Sequence, residues 1–334
     1  MKLLSLPLLR SACLTIAASV LSTAPALAQP LEKVVFMTEW APHGFHAPLY
    51  VAIQKGWFKE AGLDVELKDG RGSGATVNLV GSGQVDIGFV NLTAATIARS
   101  KGVPVKAVSS ILRKNTNGLI MKKGTGIRSP QDLKGKTLLY ATTTIEAQML
   151  DGYLATANMT RNDVKLLGVD PQSKVSSVLG GTGDAAVGPV PFYLGLLANK
   201  PEQVDFVLFD DAGIRMMDFG LVVEEDTITK RPKVVADFVK VVSRAYEYTL
   251  RDDHVNEAVQ TMIELRPTAN IDPETAVNMF KSHAVHIPSP ATEGKPVGYL
   301  AAQDMRDTVQ TLKSIKVIDD SLNPEDAYTT DFNP

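Results

Sequence analysis

Two short stretches, Arg113–Asn117 and Asp210–Phe219, carry neither a helical nor a strand pattern, and each lies between two strand-like runs. Elsewhere, up to about Thr227, the chain alternates strand and helix patterns. Such alternation specifies a parallel or mixed sheet covered on both faces. Two direct strand-to-strand passages divide it into two lobes, the middle block inserted into a discontinuous outer one. Paired passages of this kind form a hinge, and hinge closure around a ligand is an established use of them.

The first block has strands expected at Val34–Met37, Leu63–Lys68, Val85–Val90 and Val103–Leu112. Helices are expected over Ala47–Gly62, from Gly72-Ser73-Gly74 to about Gly83, and over Leu92–Gly102, with Gly62 and Gly102 placed as C-caps. The second block repeats this grammar. Strands are expected at Gly118–Met121, Thr137–Tyr140, Val164–Val169, Ala185–Gly188 and Phe206–Phe209, and a helix runs from Thr142-Thr143-Thr144 to about Asn158. Ser129 caps a short helix with Pro130 at its first position, and another helix starts at Pro171. Beyond Thr227 the pattern is helical, ending in a polar tail.

The N-terminus reads as a secretory leader. Lys2 and Arg10 precede a short apolar run, Ser11–Ser22, and Ala26-Leu27-Ala28 is a small-x-small cleavage site before Gln29. Arg10 occupies the position where a lipid-attachment box before Cys13 would carry Leu. Cleavage after Ala28 removes Cys13, the chain's one cysteine, and two cations from a chain whose formal net charge is already −3. A mildly acidic, cysteine-free exported chain argues against nucleic acid as a partner. No later segment is apolar enough over roughly 20 residues to span a bilayer, so direct membrane insertion is not expected.

The loop Trp40–Tyr50 concentrates Trp40, Phe45, Tyr50, His43 and His46 between the first strand and the first helix. Ligands of open α/β sheets bind outside the carboxyl ends of strands, where this loop falls. The rings offer stacking faces and the imidazoles hydrogen-bonding nitrogens. Each ring can equally plug the core. A metal site on His43 and His46 is not expected, because no third ligand is recognised nearby. His43 is expected to face solvent. No nucleophile–base–acid set is evident.

The chain resembles the SsuA/THI5-like (NMT1-like) solute-binding proteins of ABC importers. The resemblance is carried by Trp40-x-Pro42 with His46 six after the Trp, Tyr50-Val-Ala, Lys55-Gly-Trp-Phe-Lys-Glu-Ala-Gly-Leu-Asp64, Gly81-Ser-Gly-Gln-Val-Asp-Ile-Gly88, Gly102-Val-Pro and Asp132-Leu-Lys-Gly-Lys136. It implies an α/β, type II periplasmic binding protein fold of two lobes joined by two crossover segments. The expected boundaries are 1–28 for the signal peptide, 29–114 and 212–334 for the first lobe, and 115–211 for the second. The Trp-to-His spacing is similar to the branch that binds pyrimidine precursors of thiamine.

The resemblance places Trp40, Phe45, His46, Ser73 and Asn91 on the first-lobe wall of a ligand cleft. Thr142, Thr143, Thr144, Pro189 and Phe192 fall on the second. Ser73 and Asn91 can instead be simple helix caps. Pyrimidine-binding relatives tend to carry an acidic residue near Pro189. Pro189 and Val190 suggest a less polar wall here, with Asp218 as a substitute acceptor or a hinge residue. The implied function is periplasmic capture of a small aromatic or heterocyclic solute and delivery to an inner-membrane permease, by a monomer without cofactor. One alternative is a sulfonate, taurine or nitrate binder, for which Arg71 and Arg113 are candidate anion partners. The other is an enzyme like the thiamine pyrimidine synthase, which relies on a cysteine-rich motif, iron and a pyridoxal phosphate lysine.

Overall fold

Ile87–Asn91 is buried at all five positions, as a strand covered by helices on both faces must be. It lies at the centre of the first of two five-stranded sheets. The computed structural model describes residues 30–334 except 143, 198–202 and 252–253. The expected leader, 1–28, lies outside the described residues.

In chain order the first block is β1 (Glu32–Met37), α1 (Ala47–Gln54), α2 (Trp57–Glu60), β2 (Leu63–Lys68), α3 (Ser73–Gly81), β3 (Ile87–Asn91), α4 (Leu92–Ser100) and β4 (Val105–Ser110). The second is β5 (Asn117–Lys122), β6 (Thr137–Tyr140), α5 (Ile145–Ala155), β7 (Lys165–Gly168), α6 (Lys174–Leu179), β8 (Ala185–Pro189), α7 (Val190–Leu196) and β9 (Val204–Leu208). Then come β10 (Phe219–Glu224), α8 (Glu225–Lys230), α9 (Pro232–Thr249), α10 (His254–Leu265), α11 (Pro273–Ala284) and α12 (Ala302–Ser314).

The strand orders are β2-β1-β3-β10-β4 and β7-β6-β8-β5-β9. Each passage delivers one strand into the interior of a sheet. After the first, β5 runs antiparallel between β8 and β9; after the second, β10 runs antiparallel between β3 and β4. The remaining pairs, β1 with β2 and β3 and β6 with β7 and β8, are parallel. The expected two-lobed, two-crossover α/β architecture is therefore present.

Local chemistry explains two departures from the expected elements. The single helix expected over 47–62 is broken at Gly56, whose φ of 73° is left-handed and costs a side-chain-bearing residue strain. The strand expected over Ala185–Gly188 runs on to Pro189, and α7, which was not expected, begins at Val190 with Pro191 in the first turn where no amide donor is needed.

The helical tail closes the structure. The apolar stripe of α9, including Val235, Phe238, Val242 and Tyr246, packs into the core around β1 and β3. α11 reaches across to α7: a Cβ on Gly195 would lie 2.6 Å from that of Met279. α12 seats on the second passage, where Thr308 Oγ1 accepts from the Met217 N–H at 2.9 Å, and Ile315 just past it abuts Gly152 of α5. No helix among the described residues is long and apolar enough to cross a membrane.

Candidate functional site

Between the lobes lies a cavity of about 600 Å³, within the range of small-molecule sites. Its first-lobe wall comes from the loop after β1 (Glu39, Trp40, His43), the start of α3 (Gly72–Ala75) and Asn91 at the end of β3. The second-lobe wall is Thr144–Glu146, Lys174, Pro189, Phe192 and Tyr193. Asp218 and Phe219 reach it from the second passage, and His283 from α11.

The loop after β1 is set by a tight 3-10 turn, Gly44–His46, with His43 as its cap. Near three residues per turn, positions 43 and 46 eclipse, and their rings stand 3.9 Å apart. Phe45 is thrown the other way, fully buried among Phe89, Phe219, Tyr246, Phe280 and His283. Gly44 is needed here because a Cβ would sit 1.9 Å from the Ala276 carbonyl oxygen of α11.

Glu39 organises the polar floor. Its carboxylate accepts from His43 Nε2 at 3.0 Å and from His46 Nε2 at 3.0 and 2.9 Å. Burial alone would raise the Glu39 pKa, but the electrostatic pull of His46 and the hydrogen bonds from His43 and His46 hold it well below the usual carboxylate range. His43 is pushed down to about 4 by burial and then by His46, against the pull of Glu39. His283 is pushed down to about 3, first by burial and then by His43.

Asp218 ties the two passages together. Its carboxylate accepts from Asn91 Nδ2 at 2.6 Å, from the Thr116 N–H at 3.1 Å, and from the Thr116 hydroxyl. Its own N–H donates to the Leu112 carbonyl at 3.1 Å. Burial raises its pKa to about 6 despite these bonds. On the opposite wall, buried Lys174 donates from Nζ to Glu146 Oε1 at 2.7 Å and to the Val187 carbonyl at 2.9 Å.

Several expectations need correction. Phe45 is a core ring and does not line the cavity; nor does Tyr50, whose hydroxyl accepts from Arg266 at 3.0 Å. His46 is fully buried behind Glu39. His43 faces the cavity rather than solvent, and Glu39 is the third ligand-type group whose apparent lack argued against a metal. Thr142 lines a separate, smaller pocket of about 300 Å³ beside Asp151 and Arg161, and Thr143 lies outside the described residues. The wall near Pro189 is not merely apolar, since Glu146 and Lys174 share it. Arg113 is committed to the Tyr299 and Pro296 carbonyls.

Trp40, Ser73, Asn91, Thr144, Pro189, Phe192 and Asp218 do line the cavity. Trp40 remains 41% exposed. Ser73 is not a cap: its Oγ accepts from the Asn91 N–H at 3.0 Å, and Gly72 precedes the helix. Asn91 caps α4 through Oδ1, which accepts from the Ala94 N–H at 3.1 Å, while its Nδ2 serves Asp218. The Thr144 hydroxyl donates to the Ala141 carbonyl at 2.9 Å. Glu39, Glu146, Lys174 and His283 were missed. Glu39, four before His43 and seven before His46, left a legible signal. Glu146 and Lys174 lie 28 residues apart and left none.

The fold and its inter-lobe cavity are those of a type II periplasmic binding protein. The E. coli aliphatic sulphonate binding protein SsuA shares that fold, with a TM-score of 0.68 at 12% identity, over 89% of this chain and 91% of that one. A family model described as NMT1/THI5 like matches residues 44–254, and the chain belongs to that family. It is 25% identical over 304 residues to the formylaminopyrimidine-binding protein of Halalkalibacterium halodurans, covering 90% of this chain and 91% of that protein. It is also 27% identical over 253 residues to a 4-amino-5-hydroxymethyl-2-methylpyrimidine phosphate synthase of Saccharomyces cerevisiae, covering 72% and 73%.

Proposed function

We propose that this chain is an exported, periplasmic solute-binding protein that captures a flat, amino-bearing heterocycle and delivers it to an ABC permease. The heterocycle is of the kind found in thiamine pyrimidine precursors. The lobes would be 29–114 with 212–334, and 115–211, acting as a monomer. One observation carries the ligand class. The cavity is lined by Trp40 and Phe192 together with the ionised Glu39 and buried Asp218, while its one buried cation among the described residues, Lys174, is already matched by Glu146. Carboxylates accept from ring N–H and amino groups, and flat rings gain from stacking. Trp40, Ser73, Asn91, Thr144, Pro189, Phe192 and Asp218 are the proposed contacts.

An anion would be held by cationic side chains, Arg above all, in charge-assisted hydrogen bonds. Among the described residues Arg71 and Lys101 are the other Lys or Arg side chains on the cavity, and both are exposed. The synthase reading has the yeast relatives in its favour. Against it, the cysteine-rich motif implied for that chemistry is missing, since Cys13 is the chain's one cysteine.

A thermal-shift screen tests the reading. A ligand at a hundred times its Kd adds about 2.7 kcal/mol of stability. Aminopyrimidines should raise the melting temperature of the wild type and not that of Trp40→Ala. A response to sulfonates alone, retained in Trp40→Ala, would overturn the heterocycle assignment.

A further inference from the structure

We infer that Glu39, His43 and His46 form a site for a divalent transition-metal ion of the zinc class on the floor of the cavity, with a coordination position left open toward the ligand space. This goes beyond the proposed solute capture and does not depend on it.

The geometry comes first. The three side chains each offer one ligand atom, and these atoms lie within 4.8 Å of one another. The Nε2-to-carboxylate distances are 3.0 Å for His43 and 2.9 to 3.0 Å for His46. A tetrahedral zinc with bonds of about 2.0–2.1 Å holds its ligand atoms about 3.3–3.4 Å apart. A spread of a few tenths of an ångström in each histidine–carboxylate pair, with the two imidazole nitrogens settling to the same spacing from within 4.8 Å, would admit the ion. All three ligands come from one short segment whose 3-10 turn already aligns the two rings, so little ordering remains for the ion to impose.

The donor set agrees. Two imidazole nitrogens and a carboxylate are ligands zinc accepts, and three protein ligands leave a position for water or a Lewis-basic ligand atom. Glu39 and His43 line the cavity, which gives the ion its way in, while His46 closes the site from below.

The outer shell sets the strength. A carboxylate only accepts, so in the metal-free protein both Nε2 atoms carry the proton. Coordination would move each proton to Nδ1. Among the described residues His46 Nδ1 is buried without a hydrogen-bond partner, and His43 Nδ1 meets only the Phe45 N–H at 3.4 Å, itself a donor. Neither ring has an outer acceptor, and the loss of such partners costs about 10- to 100-fold in metal affinity. The site should therefore bind reversibly and be emptied by chelators.

The experiment uses untagged protein stripped with a chelator and dialysed against Zn²⁺ or Co²⁺, without organic ligand, with metal content read by elemental analysis. One ion per chain is expected, with a visible Co²⁺ absorption of a low-coordinate site. Glu39→Gln and His43→Ala, checked for folding by circular dichroism, should each weaken binding at least tenfold. Absence of bound ion in the wild type would overturn the site, as would full binding retained in both folded variants. A heterocycle-induced thermal shift that persists in chelator would leave solute capture standing whichever way the metal result falls.

Discussion

Asp218 on the second passage accepts two hydrogen bonds from Thr116 on the first, from its N–H at 3.1 Å and from its hydroxyl. The same carboxylate holds Asn91 at the cavity wall. The two passages and the cavity wall thus share one buried group, and passage geometry and cavity shape should respond together when it is altered.

Asp218→Ala would leave the Asn91 and Thr116 donors buried without an acceptor. Each such orphan costs about 1–3 kcal/mol, so a loss on the order of 3 kcal/mol is expected in chemical denaturation. A loss below about 1 kcal/mol would mean water replaces the carboxylate and the tie is dispensable.

The pH dependence of this group has a definite sign. Its pKa is raised from 3.8 to about 6 in the folded protein, mainly by burial. Between those values the folded state binds more protons than the unfolded, so this contribution to stability is present below pH 4 and is lost as pH rises through 6. His43, held at about 4, acts oppositely, its contribution being lost as pH falls from 6.5. The difference between wild type and Asp218→Asn isolates the first effect. The variant should gain relative stability, on the order of 2–3 kcal/mol, from pH 4 to 7. A pH-independent difference would show that Asp218 titrates normally.

Lys174 and Glu146 are both buried, and removing one partner strands the other's charge. Lys174→Met should cost about 3–5 kcal/mol, and adding Glu146→Leu should restore most of it. A double variant as unstable as Lys174→Met would point to the lost Val187 carbonyl contact instead of the stranded carboxylate.

Two rings of one loop should separate cleanly. Phe45→Ala empties a core position and should cost about 3–5 kcal/mol. Trp40→Ala removes a 41% exposed ring and should change stability little while abolishing the ligand-induced shift. Equal destabilisation by both would make Trp40 a structural plug.

Much of this architecture was legible in the chain. Alternating strand and helix patterns, two strand-to-strand passages and the family signatures suffice for two mixed sheets joined by two passages, because element type depends on local periodicity and turn chemistry. The loop after β1 was marked by its aromatic and histidine content. Which way each of its side chains points was decided elsewhere: by the 3-10 turn at Gly44–His46, and by distant helices. The Tyr246 hydroxyl donates to the Phe45 carbonyl at 2.8 Å across 201 residues of sequence. The rings of α9 and α11 claim Phe45 for the core, leaving Trp40 and His43 to the cavity. The Glu146–Lys174 pair and the Asp218 tie likewise exist only once separate strands and helices are brought together. A buried charge is tolerable only beside its partner, and sequence spacing alone does not name that partner.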